Sequence, residues 1–102
     1  MIIIAGTFDV DPDHRDEFVA AKVDQLIATW DEPGCLDYVM TADPTKPNLV
    51  RLFERWEDDA ALAKHFEVIA ARRAEGTPDP TAPWIRGIDL NKYEIASFGP
   101  MG

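Results

Sequence analysis

Apolar residues recur along this chain at two periods, alternate positions in some stretches and every third or fourth in others. Ile2–Val10 opens with three consecutive isoleucines, which predicts a strand buried on both faces. Alternation puts Ile3, Ala5 and Thr7 on one of its faces and Ile2, Ile4, Gly6 and Phe8 on the other. Asp11-Pro12-Asp13 has the chemistry of a helix start, an acid at the cap and Pro in the first turn. The helix it predicts runs to about Trp30, with Phe18, Val19, Val23, Leu26, Ile27 and Trp30 turned inward, and Pro33-Gly34 ends it. Residues 35–41 read as a second strand and 43–48 as a Pro-containing hairpin loop. The third strand, Leu49–Trp56, places Val50, Leu52, Glu54 and Trp56 on one face and Arg51, Phe53 and Arg55 on the other. Asp58 caps a second helix that extends to about residue 73 and carries Leu62, His65, Phe66 and Ile69 along one stripe. Residues 75–83, with Gly76 and three prolines, read as an ordered loop or lid. A last strand is expected over 84–96 with a bulge at Gly87, followed by a tail over 97–102.

The order is βαββαβ, the ferredoxin-like α+β arrangement: one domain over residues 1–102, with a four-stranded antiparallel sheet and both helices on one face. Thr7 is then expected to look toward the helices, and the other face to carry Ile2, Ile4, Phe8 and Phe53. An exposed apolar patch of that kind marks an interface, and the commonest solution is a two-fold homodimer. Arg51 and Arg55 share that face, so they should reach its rim or pair with acids of a second copy.

Composition narrows the partners. The net charge of -9 repels phosphate backbones and anionic lipid, so neither nucleic acid nor a membrane surface is an expected partner. One cysteine, Cys35, excludes an internal disulfide and a Cys-based metal cluster. The start of the chain lacks the basic residues of a signal peptide, and its apolar run is too short to span a bilayer; a cytoplasmic protein is expected.

The candidate chemistry lies where the third strand meets the second helix. Their connection is only Glu57-Asp58, so the helix stripe should sit over the strand. A carboxylate (Glu54), an indole (Trp56) and an imidazole (His65) then meet among Leu52, Leu62, Phe66 and Ile69, with Thr7 nearby. An imidazole titrates near neutrality and suits a general base; it is equally the kind of residue that satisfies a core partner. Glu54 is costly to bury alone, so it either orients His65, holds a proton itself, or pairs with a neighbouring cation or backbone donor. Trp56 offers a flat wall and one N–H donor. His14 should be solvent-exposed, and Cys35 has no basic neighbour to activate it. The two histidines have no metal-ligand spacing, and no phosphate loop or nucleophile elbow is present, so no metal or cofactor is expected.

The spaced residues Glu32-x-Gly34-Cys35-x-x-Tyr38, Glu54-x-Trp56 and His65 resemble the antibiotic biosynthesis monooxygenase family of dimeric α+β barrels. The resemblance implies a pocket between the sheet and the helices, with Trp56 and His65 as pocket residues. It also implies a functionally mixed set of relatives: cofactor-free oxygenases of phenolic polyketides and quinols, haem-degrading enzymes, and isomerases. The haem-degrading branch uses an Asn, a Trp and a His where this chain has Thr7, His65 and Glu75, so that chemistry is disfavoured. Residues 75–83 also depart from the family's spacing. Two functions from different classes follow. One is a cofactor-free monooxygenase of a phenolic, quinol or polyketide-like aromatic, with His65 as base, Glu54 as its orienter and Trp56 as wall and donor. The other is a non-catalytic dimeric protein that binds a small hydrophobic molecule, or a stress-associated protein of the same fold; an isomerase would use the same base.

Overall fold

A computed structural model describes residues 1–76 and 78–102. The elements are β1 (Ile2–Val10), α1 (Arg15–Trp30), β2 (Cys35–Ala42), β3 (Leu49–Trp56), α2 (Asp59–Ala74), a 3-10 turn at Ala82–Trp84, and β4 (Ile85–Glu94). The four strands form one antiparallel sheet in the order β2-β3-β1-β4, the α+β ferredoxin-like topology expected from the pattern. The predicted bulge is present: Asp9 pairs with Gly87 but Val10 pairs with Ile85, leaving Arg86 as the extra residue. Among the described residues no helix is long and apolar enough to cross a membrane.

Register corrects the assignment of the sheet faces. Residues directly opposite in an antiparallel pair point to the same side. Ile2, Ile4, Gly6 and Phe8 lie opposite Trp56, Glu54, Leu52 and Val50, so they face the helices and fill the core. Thr7 lies opposite Arg51 and therefore looks away from the helices, contrary to expectation. The open face is built instead from Ile3, Ala5 and Thr7, with Arg51, Phe53 and Arg55, Val39 and Thr41, and Asn91 and Tyr93 beside them. Alternation defines two sets of residues on β1, and only its pairing decides which set meets the helices.

The helices show a similar division. Asp11 does not cap α1 directly. It closes a preceding turn, accepting from Asp13 N through Oδ1 at 3.0 Å and from His14 N through its carbonyl. The helix starts at Arg15, and His14 stacks on Trp84 with centroids 4.5 Å apart, so it is not a free surface imidazole. The inward stripe of α1 is Phe18, Leu26 and Thr29, whereas Val23, Ile27 and Trp30 are exposed. The inner face of α1 borders a cavity that Lys22, Gln25 and Thr29 also line, so polar residues occupy positions a solid core would refuse. The second helix is capped as expected: Asp58 accepts from Ala61 N at 2.8 Å. Its Leu62 and His65 are buried, but Phe66 is exposed, because one stripe position lies beyond the width of the contact.

Candidate functional site

Between the sheet, α1, α2 and residues 78–85 lies a cavity of about 740 Å³. Its apolar walls come from Phe8, Phe18, Met40, Ile69, Ile85 and Ile88. The 78–84 segment is held against it: Asp79 Oδ1 accepts from the Thr81 amide and hydroxyl, and Asp79 Oδ2 from Lys22 Nζ at 3.0 Å. Thr81 is buried as a result.

His65 lines this cavity and is 2% exposed. Its Nδ1 lies 3.0 and 3.2 Å from the two carboxylate oxygens of Glu32. A carboxylate accepts only, so Nδ1 carries the proton and Nε2 is left as the basic nitrogen. The nearest carboxylate oxygen to Nε2 is Glu54 Oε1 at 4.0 Å, too far for a hydrogen bond. That oxygen accepts instead from Trp56 Nε1 at 3.0 Å, and the Trp56 and His65 rings pack with centroids 4.7 Å apart. Tyr38 completes the cluster, edge-on to His65 at 5.5 Å and on the cavity wall.

Each of these side chains has a local cause. Glu54 and Trp56 share the inward face of β3, and Tyr38 lies opposite Glu54 on β2. Glu32 reaches His65 because the chain turns back at Gly34, whose φ of 81° is left-handed and suits glycine. A Cβ at Gly34 would run into the Ala61 side chain, so the turn packs hard against α2. The amide of Glu57 donates to Gly34 O at 2.9 Å, tying that turn to the end of β3.

Burial, with nearby Glu54 and Glu32, keeps the Tyr38 phenol protonated well above its ordinary range. Burial also pushes the Glu54 carboxyl upward, opposed by the Trp56 hydrogen bond and the imidazole. The Cys35 thiol is pushed up by burial and by the carboxylates of Glu32, Glu54 and Asp37, which leaves it a poor nucleophile.

The residues singled out by pattern therefore divide. His65 and Ile69 line the cavity. Glu54, Trp56, Leu52 and Leu62 are buried behind it: Trp56 is 0% exposed and its one donor is already used by Glu54. Trp56 is thus no wall of the cavity, and Glu54 is not the group that orients His65 through Nδ1. Phe66 lies on the outer flank and Thr7 on the opposite sheet face. Glu32, Tyr38 and Arg72 also meet at this cluster and cavity without having stood out as site residues by their spacing. Tyr38 shares strand parity with Met40, and Arg72 falls seven residues after His65, so both carried a periodic signal. Glu32 carried no periodic signal, only its place before a Pro-Gly turn and among the spaced residues of the family resemblance.

Known proteins agree with this architecture. The chain is 38% identical over 96 residues to an uncharacterised protein of Synechocystis sp., a match that covers 93% of this chain and 63% of that one. The chain thus spans less than two thirds of the relative's length. A Nitrosomonas europaea structure described as a candidate antibiotic biosynthesis monooxygenase superposes with a TM-score of 0.78 at 18% identity, over 95% of this chain and 100% of that one. A Deinococcus radiodurans structure of the same description gives 0.72 at 23% identity, with both chains covered in full at 100%. The sequence profile of the antibiotic biosynthesis monooxygenases matches residues 1–75. With its fold and that match in agreement, the chain belongs to the antibiotic biosynthesis monooxygenase family.

Proposed function

We propose that the chain is a cofactor-independent monooxygenase of an electron-rich phenol, quinol or polyketide-like aromatic. The observation that carries the reading is His65, a buried imidazole on an apolar cavity with Nδ1 held by Glu32 and Nε2 left basic. Family membership supports oxygen chemistry. For a CH2 carbon flanked by aromatic rings, Nε2 takes one proton and leaves a delocalised carbanion. The carbanion passes an electron to dioxygen, and the radical and superoxide join through a C–O bond. The imidazolium returns its proton to the peroxide. The O–O bond then breaks as the second C–H proton leaves, giving a carbonyl on the ring and one water. Glu32 lies against the imidazolium while it exists, as the carboxylate of a catalytic triad does. Tyr38, held protonated, donates a hydrogen bond to a substrate oxygen, and the apolar walls keep water away from the carbanion.

The test is oxygen uptake with a panel of anthrones and quinols. His65→Ala should lower it by a hundredfold or more, on the order of a positioned base's contribution. Glu32→Gln should lower kcat with KM little changed, because it acts through His65. Uptake that survives His65→Ala would remove the base assignment. In either case the variant loses about 1–3 kcal/mol of stability for a buried hydrogen bond, so uptake is measured well below its denaturation midpoint. A second reading, storage of a hydrophobic molecule without turnover, draws on one observation: of Glu54, Trp56 and His65, only His65 reaches the cavity. Ligand binding without oxygen uptake would favour it.

The chain is also proposed to pair with a second copy through its open sheet face. Val39, Phe53 and Ala5 form an apolar row across three strands there, with Ile3 and Tyr93 beside it. Val39 is 36% and Tyr93 49% exposed, an apolar surface that solvent does not favour.

A further inference from the structure

We propose that the cavity takes a fused-ring aromatic acid, with its anionic group on Arg72 and its uncharged end at His65. The chain as a whole carries a charge of -9, yet three of its cations, Lys22, Arg72 and Arg73, line this one cavity against two carboxylates, Glu75 and Asp79. Lys22 is already paired with Asp79 at 3.0 Å. Among the described residues, neither Arg72 nor Arg73 makes a salt bridge within 4.0 Å. Arg73 is exposed, whereas Arg72 is half-buried, so its guanidinium is held at the cavity and offers a planar fork to a carboxylate or sulfonate.

The opposite end of the site has the reverse polarity. Glu32 is 3.0 Å from His65 Nδ1, and Glu54 Oε1 is 4.0 Å from Nε2. With Glu32 at Nδ1 and the Glu54 carboxyl beyond Nε2, that end disfavours an anion and admits a neutral hydroxyl or an activated carbon. His65, Ile69 and Arg72 follow one face of α2 at spacings of four and three residues. Seven residues of helix place the Cα positions of His65 and Arg72 about 10 Å apart along the axis. That separation suits a bicyclic or tricyclic skeleton with the acid at one end, and the cavity's 740 Å³ is within the range of small-molecule sites. The apolar walls between the two ends receive the rings.

The assignment rests on reading the cavity as a ligand site but not on catalysis, and it is tested by binding. Anilinonaphthalene sulfonate and its neutral parent, phenylnaphthylamine, share a ring system and differ by one sulfonate. Fluorescence titration of the whole chain should show the sulfonate bound more tightly. Arg72→Gln should weaken the sulfonate roughly tenfold or more, as loss of a charged hydrogen-bond partner does, and leave the neutral probe unchanged. Ile69→Trp, which fills the cavity, should abolish binding of both. Equal affinity for the two probes, an equal loss of both in Arg72→Gln, or sulfonate binding that ignores Ile69→Trp would each overturn the assignment. Selective sulfonate binding in a chain that consumes no oxygen would leave it standing and remove only the monooxygenase reading.

Discussion

Glu54 is a carboxyl at 6% exposure whose hydrogen bond comes from an indole rather than a cation. Its folded-state affinity for a proton is raised, first by burial and further by Glu32, while Trp56 and His65 act against the rise. A carboxyl raised in this way contributes most to stability when protonated, below its ordinary value near 4.5. That contribution is lost as pH rises through the higher folded value. Glu54→Gln keeps an acceptor for Trp56 Nε1 and cannot ionise. We expect wild type and this variant to have similar denaturation midpoints at acidic pH, with the variant gaining relative stability as pH climbs. Midpoints measured from pH 4 to 8 check this, and a gap that shrinks with rising pH would show that Glu54 is held ionised by its neighbours. At this same scale the alternation of β3 already put Glu54 and Trp56 side by side. Their mutual hydrogen bond, which withdraws both from the cavity, needed the burial that the helix supplies.

The turn from α1 into β2 does more for the site than its length implies. It ends the helix, starts an edge strand and sets Glu32 beneath α2, a contact between residues 33 apart in sequence. Gly34 permits all of this, since its left-handed backbone and close approach to Ala61 both exclude a side chain. Gly34→Ala should therefore cost about 1–3 kcal/mol in chemical denaturation, the range for a forced backbone conformation. In whatever remains folded, the Glu32–His65 contact should be loosened and oxygen uptake reduced. A variant as stable as wild type would mean the turn has slack that the structure does not display. The connection after β3 is the opposite case. With only Glu57 and Asp58 between strand and helix, and Asp58 as a cap, the helix over β3 follows from local chemistry.

At the scale of the molecule, the sheet divides two environments. One face, under the helices, holds the core, the imidazole cluster and the cavity. The other carries Phe53 in an apolar row bounded by Arg51 and Arg55. If that face pairs with a second copy, light scattering at micromolar concentration should give twice the 11.4 kDa chain mass. Phe53→Asp should then give a monomer, because it places a charge in the middle of the contact. A wild-type monomer at that concentration counts against the pairing. The expectation that Ile4 and Phe8 would share this face fails because both pair inward with β3. What is left is a smaller and more polar surface than the alternation alone implied.

By itself the sequence determined the order of elements, the bounds of β1 and β3, the Asp58 cap, the bulge beside Gly87 and the inward stripe of α2 through Leu62 and His65. These are properties of a chain segment about its own axis: strand alternation, helical periodicity and the hydrogen-bonding needs of a helix end. The tertiary structure alone decided how each element is rotated against its neighbours. Pairing with β3 turned Thr7 away from the helices, and the cavity selected Thr29 over Ile27 and Trp30 on α1. Folding alone brought Glu32 to His65. No local period encodes those meetings, because they depend on the register between strands and on which of two near-equal stripes packs best.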